Sequence, residues 1–180
     1  MTKKIFLALG GFLLIVFVTC TSFLWFKVFY YGDIGKINTL QVQKEQDVVS
    51  LNENLVPMTE SEAQSVPNYK FSINNINDFK SSYKVVFEEV SAQGDKLSKS
   101  QLNYELLLNS KVIKKGNLSQ LKNGILDERD VMAGKTNNYE LKVYIADSVK
   151  GGTWENKSYA YKVNIIVKEN NWWKKCYWNI

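Results

Sequence analysis

The sequence predicts an all-β domain, a sandwich of two sheets, standing behind one N-terminal transmembrane helix. Three observations carry that prediction. Residues 5–26 hold no charge. Beyond them, apolar residues recur at every second position in five separate runs, the period of strands with one buried face. Asn, Gly and Asp gather between the runs, where strands must turn.

The leader comes first. Lys3 and Lys4 precede 22 uncharged residues, Ile5 to Phe26. At about 1.5 Å per residue this helix is roughly 33 Å long, enough for a bilayer core of about 30 Å. Ile5, Phe6, Leu13, Leu14, Phe17, Phe23, Trp25 and Phe26 are its candidate lipid-facing residues. Trp25, Tyr30 and Tyr31 stand where an aromatic belt is expected, and Lys27 can snorkel. Two other fates are open. Cleavage near Thr21 or Ser22 would leave a very apolar new N-terminus. Lipidation at Cys20 would use a lipobox with Thr19 where a smaller residue is usual, followed by Phe23-Leu24-Trp25-Phe26 instead of a polar tether. Length and flanks favour an anchor over residues 1–31. The short basic start places the N-terminus in the cytoplasm and the remainder outside the cell.

Residues 32–47 read as a membrane-proximal linker and first strand, since Ile37 to Val42 alternates apolar and polar. Val48 to Leu51 either pairs with it or continues toward the domain. Val56-Pro57-Met58 feeds one short helix, with Thr59 and Glu62 spaced as a capping box and Pro67 as its stop. The apolar rows follow. They are Tyr69, Phe71 and Ile73; Tyr83, Val85 and Phe87; Leu102, Tyr104, Leu106 and Leu108; Leu141, Val143 and Ile145; and Tyr159, Tyr161, Val163, Ile165 and Val167. Lys142 and Tyr144 fall on the opposite face of their strand. Asn74-Asn75, Asn77-Asp78, Gly94-Asp95, Gly116-Asn117, Gly134 and Gly151-Gly152 supply turns. Several short strands at this spacing argue a β-sandwich over residues 48–169, each sheet burying its apolar row against the other.

Composition excludes much chemistry. The chain has no histidine, so the commonest general base and metal ligand are missing. Cys20 and Cys176 are its two cysteines, one in the leader and one near the end, so no disulfide within the domain is expected. From Gly32 onward there are 20 bases and 18 acids, too balanced for a nucleic-acid surface. Arg129 is the lone arginine, leaving little for bidentate anion recognition. Glu88 and Glu89 are strand neighbours and point to opposite faces. Asp127-Glu128-Arg129-Asp130 lacks the spacing of a calcium loop and reads as a solvated turn. No P-loop, dinucleotide fingerprint or zinc pattern occurs. The expectation is no catalytic, cofactor or metal residue, and no enzyme.

The tail, residues 170–180, crowds Trp172, Trp173, Tyr177 and Trp178 around Lys174 and Lys175. These rings can cover the sandwich edge, bind a partner or sit at a membrane surface. A seven-stranded sandwich sends its first and last strands out at opposite ends. On that expectation the tail points away from its membrane and contacts a protein partner.

Val56-Pro57-Met58-Thr59 with Tyr69-Lys-Phe-Ser-Ile-Asn-Asn, and Ala133-Gly-Lys-Thr-Asn-Asn-Tyr-Glu-Leu-Lys-Val-Tyr-Ile with Asn156-Lys-Ser-Tyr, resemble the small surface proteins of low-GC Gram-positive bacteria of the TasA/camelysin-like group. The resemblance spans roughly residues 48–168. It implies an immunoglobulin-like or jelly-roll sandwich displayed outside the cell, with self-association by strand exchange in some members. The peptidase activity attached to camelysin does not carry over, because no histidine is present to hold zinc. The expected function is a membrane-anchored extracellular module, structural or protein-binding. The alternative is a secreted, signal-cleaved fibre subunit.

Overall fold

The computed structural model describes residues 14–23, 38–51, 56–90 and 95–168. The chain divides into two compact units, Met1–Ile37 and Asn38–Ile180. In the first, residues 14–23 are helical. No helix among the described residues is long and apolar enough to cross a membrane. Within this helix Leu14, Ile15, Phe17 and Phe23 are exposed. Thr19 and Thr21 turn their hydroxyls back onto helix carbonyls: Thr19 Oγ1 donates to Val16 at 2.9 Å and Thr21 Oγ1 to Phe17 at 2.9 Å.

The second unit is built from strands β1 (Leu40–Lys44), β2 (Val49–Leu51), β3 (Tyr69–Asn75), β4 (Ser81–Val90), β5 (Leu102–Leu108), β6 (Lys111–Asn117), β7 (Ile125–Val131), β8 (Thr136–Ile145) and β9 (Tyr159–Val167). A five-stranded sheet runs β1-β3-β8-β5-β6 and a four-stranded sheet β2-β9-β4-β7. Every pairing between these strands is antiparallel. β1 lies on β3 and β2 on β9, so the chain changes sheet between Lys44 and Val49.

The five period-two rows become β3, β4, β5, β8 and β9, and their odd or even apolar series turns inward as alternation requires. Tyr69, Phe71, Ile73, Tyr83, Val85, Leu102, Leu106, Leu141 and Val163 are all under 5 % exposed. The core is unusually aromatic. Phe71 stacks on its cross-strand neighbour Tyr139 at 4.9 Å, and Phe87 stacks on Tyr161 at 4.8 Å. Edge-on contacts join the sheets, Tyr69 to Tyr161 and Tyr83 to Tyr139, each at 6.4 Å. Such pairs add to the burial of their area.

Four expectations are corrected. Lys142 and Tyr144, placed on a solvated face by alternation, are each 4 % exposed. The segment from Met58 to Val66 straps across that face: Met58 N–H donates to Ile145 at 3.1 Å, Ala63 is buried, and Lys142 Nζ reaches Gln64 Oε1 at 3.5 Å. The Thr59–Glu62 reciprocal bonds form at 2.8 and 3.3 Å, but the helix is one 3₁₀ turn, Glu62–Ser65. Asn75, taken as turn chemistry, is the buried end of β3. Residues 127–130 are not a solvated turn but the middle of β7.

Candidate functional site

The base of the sandwich is tied together by asparagines. Asn75 is fully buried. Its Nδ2 donates to the carbonyls of Phe79 at 2.7 Å and Val131 at 3.0 Å. Its Oδ1 accepts from Asn77 N–H, Asn77 Nδ2 and Ser81 Oγ at 3.0, 2.8 and 3.2 Å. An amide can satisfy both donors and an acceptor in this way, which a carboxylate or hydroxyl cannot. Asn77 Nδ2 also donates to Thr39 O at 2.9 Å, so the start of the domain is clasped to the β3–β4 turn. The end of the domain arrives beside it. Lys168 N–H donates to Ser82 O at 2.8 Å, and Asn38 Nδ2 donates to Lys168 O at 3.2 Å. First and last strands therefore leave at the same end, not at opposite ends. The β7–β8 turn closes the base through Gly134 N–H to Asn75 O and Asn75 N–H to Lys135 O.

A second polar set is buried between the sheets. Val85 faces Asp127 and Val86 faces Ile125, so Leu126 is an extra residue in β7. This bulge turns both Leu126 and Asp127 inward. Asn137 Nδ2 donates to Tyr83 Oη at 2.6 Å, and Tyr139 Oη donates to Asp127 Oδ2 at 2.7 Å. Because Tyr139 spends its proton on Asp127, the 2.8 Å contact between the two phenols has Tyr83 as donor. Arg129 grips Asp127 through Nε and through Nη2, the latter at 3.1 Å. Burial raises the Tyr139 phenol far above its ordinary range, reinforced by Tyr83 and Asp127. Burial likewise raises Tyr83. Both phenols are locked as donors and Arg129 is already paired, so the set is a structural bolt between β7 and β8 with no free base.

The third feature is a cleft of about 430 Å³ where the two sheets part beside β1 and β2. Glu45, Gln46, Val49, Leu51, Pro67, Asn68, Tyr69 and Tyr161 line it. Tyr69 Oη donates to Gln46 O at 2.9 Å, and burial with nearby Asp47 and Glu45 pushes its phenol up to about 12. Asn68 Nδ2 donates to Glu140 at 2.7 Å, while its buried Oδ1 has no partner among the described residues. The cleft borders β9, whose pairing with β2 stops at Tyr161 whereas its pairing with β4 runs to Val167. The flank of β9 from Lys162 to Val167 carries no strand among the described residues. A shallower depression of about 450 Å³ lies over β1, β3 and β8, lined by Gln43, Lys70, Phe71, Ser72, Tyr139 and Glu140.

The sequence-predicted residues fall as follows. Leu14, Phe17 and Phe23 lie on the exposed leader helix. Ile5, Phe6, Leu13, Trp25 and Phe26 lie outside the described residues, as do Trp172, Trp173, Lys174, Lys175, Tyr177 and Trp178. Glu88 pairs with Lys162 on the outer face, while Glu89 turns to Lys96 and Lys99. Among the described residues no three Cys, Asp or Glu side chains converge as metal ligands. Alternation across β7 would have shown Asp127, Arg129 and Val131 on one face, had the charges not suggested solvent. No protein-family model matches the chain, and no curated protein matches its sequence.

Proposed function

We propose that this chain is a membrane-tethered sandwich of jelly-roll type, held outside a bacterial cell, that binds another protein in the cleft beside β9. The pairing order supports the jelly roll. β2 pairs with β9, β3 with β8, β4 with β7 and β5 with β6, as in one long hairpin of eight strands. Rolling that hairpin brings β9 onto β4 and β8 onto β5. Jelly rolls have this connectivity, whereas immunoglobulin domains group their strands differently. The tether is supported by a helix apolar on every described face, with its threonine hydroxyls bonded internally, as lipid requires.

The binding role is carried by one observation: a flank of β9, from Lys162 to Val167, that no strand among the described residues covers, beside a tyrosine-floored cleft. Main-chain groups there can take an extended segment by strand addition, and the apolar lining can select its side chains. In expressing cells, membranes should retain the full-length chain, and protease added outside should degrade the sandwich. A product about 20 residues shorter in the medium would reject the tether. A photo-crosslinker at Ser50, exposed on β2, should give one discrete adduct, and one at Asp130, on the opposite edge, none. Equal adducts at both positions, or none at Ser50, would reject the cleft.

A second reading is a secreted fibre subunit. It is favoured by the placing of β1 and β2, each an edge strand, because withdrawing them would open a groove along both sheets for a neighbour's strand. Filaments assembled from the cleaved, purified chain would support it, and strict monomers at high concentration would reject it.

A further inference from the structure

The sheet face under the Met58–Val66 strap holds a lysine without a counter-charge. Lys142 is 4 % exposed. Its hydrogen bond among the described residues is a long one, 3.5 Å to the Gln64 amide oxygen in the strap. Glu105 stands opposite it on β5, yet the ion pairs of the described residues do not include Lys142. A buried ammonium left unpaired is costly.

The neighbour on its other side is equally unfinished. Asn68 comes just before β3. Tyr69 faces Leu141 and Lys70 faces Glu140, so the same register sets Asn68 opposite Lys142. Side chains opposite each other on one face stand about 5 Å apart at Cβ, a gap that a lysine stem spans. Asn68 Oδ1 is buried with no partner among the described residues, while Nδ2 donates to Glu140 Oε2 at 2.7 Å. Glu140 lies two positions from Lys142 in β8, on the same face. One covered face thus carries an amine, a carboxamide and a carboxylate already bonded to the carboxamide nitrogen.

We propose that Lys142 and Asn68 join in an intramolecular amide cross-link, with Glu140 as the proton carrier. Glu140 takes one proton from the Lys142 ammonium, and the free amine attacks Asn68 Cγ. A second proton passes from Nζ to Nδ2, the Nζ–Cγ bond stays and the Cγ–Nδ2 bond breaks. Ammonia leaves, collecting the proton held on Glu140, so the positive charge departs as ammonium and a neutral amide remains. The cost of the buried charge goes with it. The link ties β3 to β8 in a fold with no cysteine between residues 38 and 168.

The test is the intact mass of the full chain, purified in detergent and denatured for measurement. It should be lighter than its sequence by one ammonia, about 17 Da. Trypsin should fail to cut after Lys142 and should release a branched peptide containing Asn68 and Lys142. Lys142→Met, Asn68→Ala and Glu140→Gln should each restore the full mass. Lys70→Ala, which removes the exposed lysine facing Glu140, should keep the loss. A wild-type chain of full mass would overturn the proposal without any variant, leaving Lys142 and Asn68 as a hydrogen-bonded pair at most. The same loss persisting in Lys142→Met would also overturn it, by assigning the missing ammonia to a succinimide elsewhere, as at Asn123-Gly124.

Discussion

At the scale of single residues, the asparagine at the end of β3 carries more than its neighbours. Asn75 Nδ2 satisfies two carbonyls, Phe79 and Val131, and its Oδ1 gathers Asn77 and Ser81. Asn75→Ala strips all of these at a buried site, and unsatisfied buried groups cost more than the bonds return. We expect a loss of about 2–4 kcal/mol in denaturant unfolding. Asn77→Ala, at a half-buried position, should cost about 1 kcal/mol; equal losses would show that burial is not the deciding factor. Asn75 also illustrates what the sequence leaves hidden. An Asn-Asn pair reads as turn chemistry, and nothing local tells that one member is buried. The same is true of Lys142. Alternation assigns its strand face correctly, but the strap that covers that face comes from Met58–Val66, some 80 positions away, and alternation carries no information about a third layer.

At the scale of elements, the strands most legible in the sequence were those whose apolar residues recur at every second position, β3, β4, β5, β8 and β9, although the outer face of β8 proves to be covered by the strap. β6 and β7 escaped for separate reasons. β6 reads Lys-Val-Ile-Lys-Lys-Gly-Asn, an edge strand whose Val112 is 52 % exposed, so its period is blurred by the charges that edges carry. β7 hides its period because its inward face holds a bonded Asp–Arg pair and because the bulge at Leu126 breaks parity. The connection between them depends on Gly124. Its φ is +70°, and a Cβ there would lie 2.4 Å from the Phe87 carbonyl oxygen. Gly124→Ala therefore meets both the left-handed penalty of about 1–2 kcal/mol and a collision with backbone that no rotamer relieves. Gly134 has φ +63° with nothing within 4 Å, so Gly134→Ala isolates the first term. Thermal unfolding of the two variants should show a loss at Gly124 at least about twice that at Gly134. Equal losses would mean that β4 yields at Phe87.

At the scale of the molecule, the aromatic core makes stability a function of alkaline pH. Tyr69, Tyr83, Tyr139, Tyr159 and Tyr161 are each under 5 % exposed. Burial raises all five phenols above their ordinary range, Tyr69 to about 12. In the unfolded chain they titrate near pH 10. A raised folded value means the native state keeps protons that the unfolded state has lost. The stabilisation is therefore complete below about pH 10 and is lost as pH rises toward the folded values. Each tyrosine contributes a slope of about 1.4 kcal/mol per pH unit, so five together reach about 7. Against a domain stability of about 5–15 kcal/mol, unfolding should be complete within one or two units above pH 10. On the acid side the carboxylates held low are Glu62, Glu89, Glu128 and Asp130; three are exposed and Glu89 is half-buried, and each is paired with hydroxyls, a backbone N–H or lysines at the surface, where such pairs stabilise little. The pH profile should thus be flat through neutrality and fall steeply on the alkaline side. Tyrosinate absorbance and circular dichroism, recorded together, should change in one cooperative step. Gradual ionisation of all the tyrosines near pH 10, with the sheet signal intact, would mean that the rings are open to water and that the two sheets do not close on each other as described.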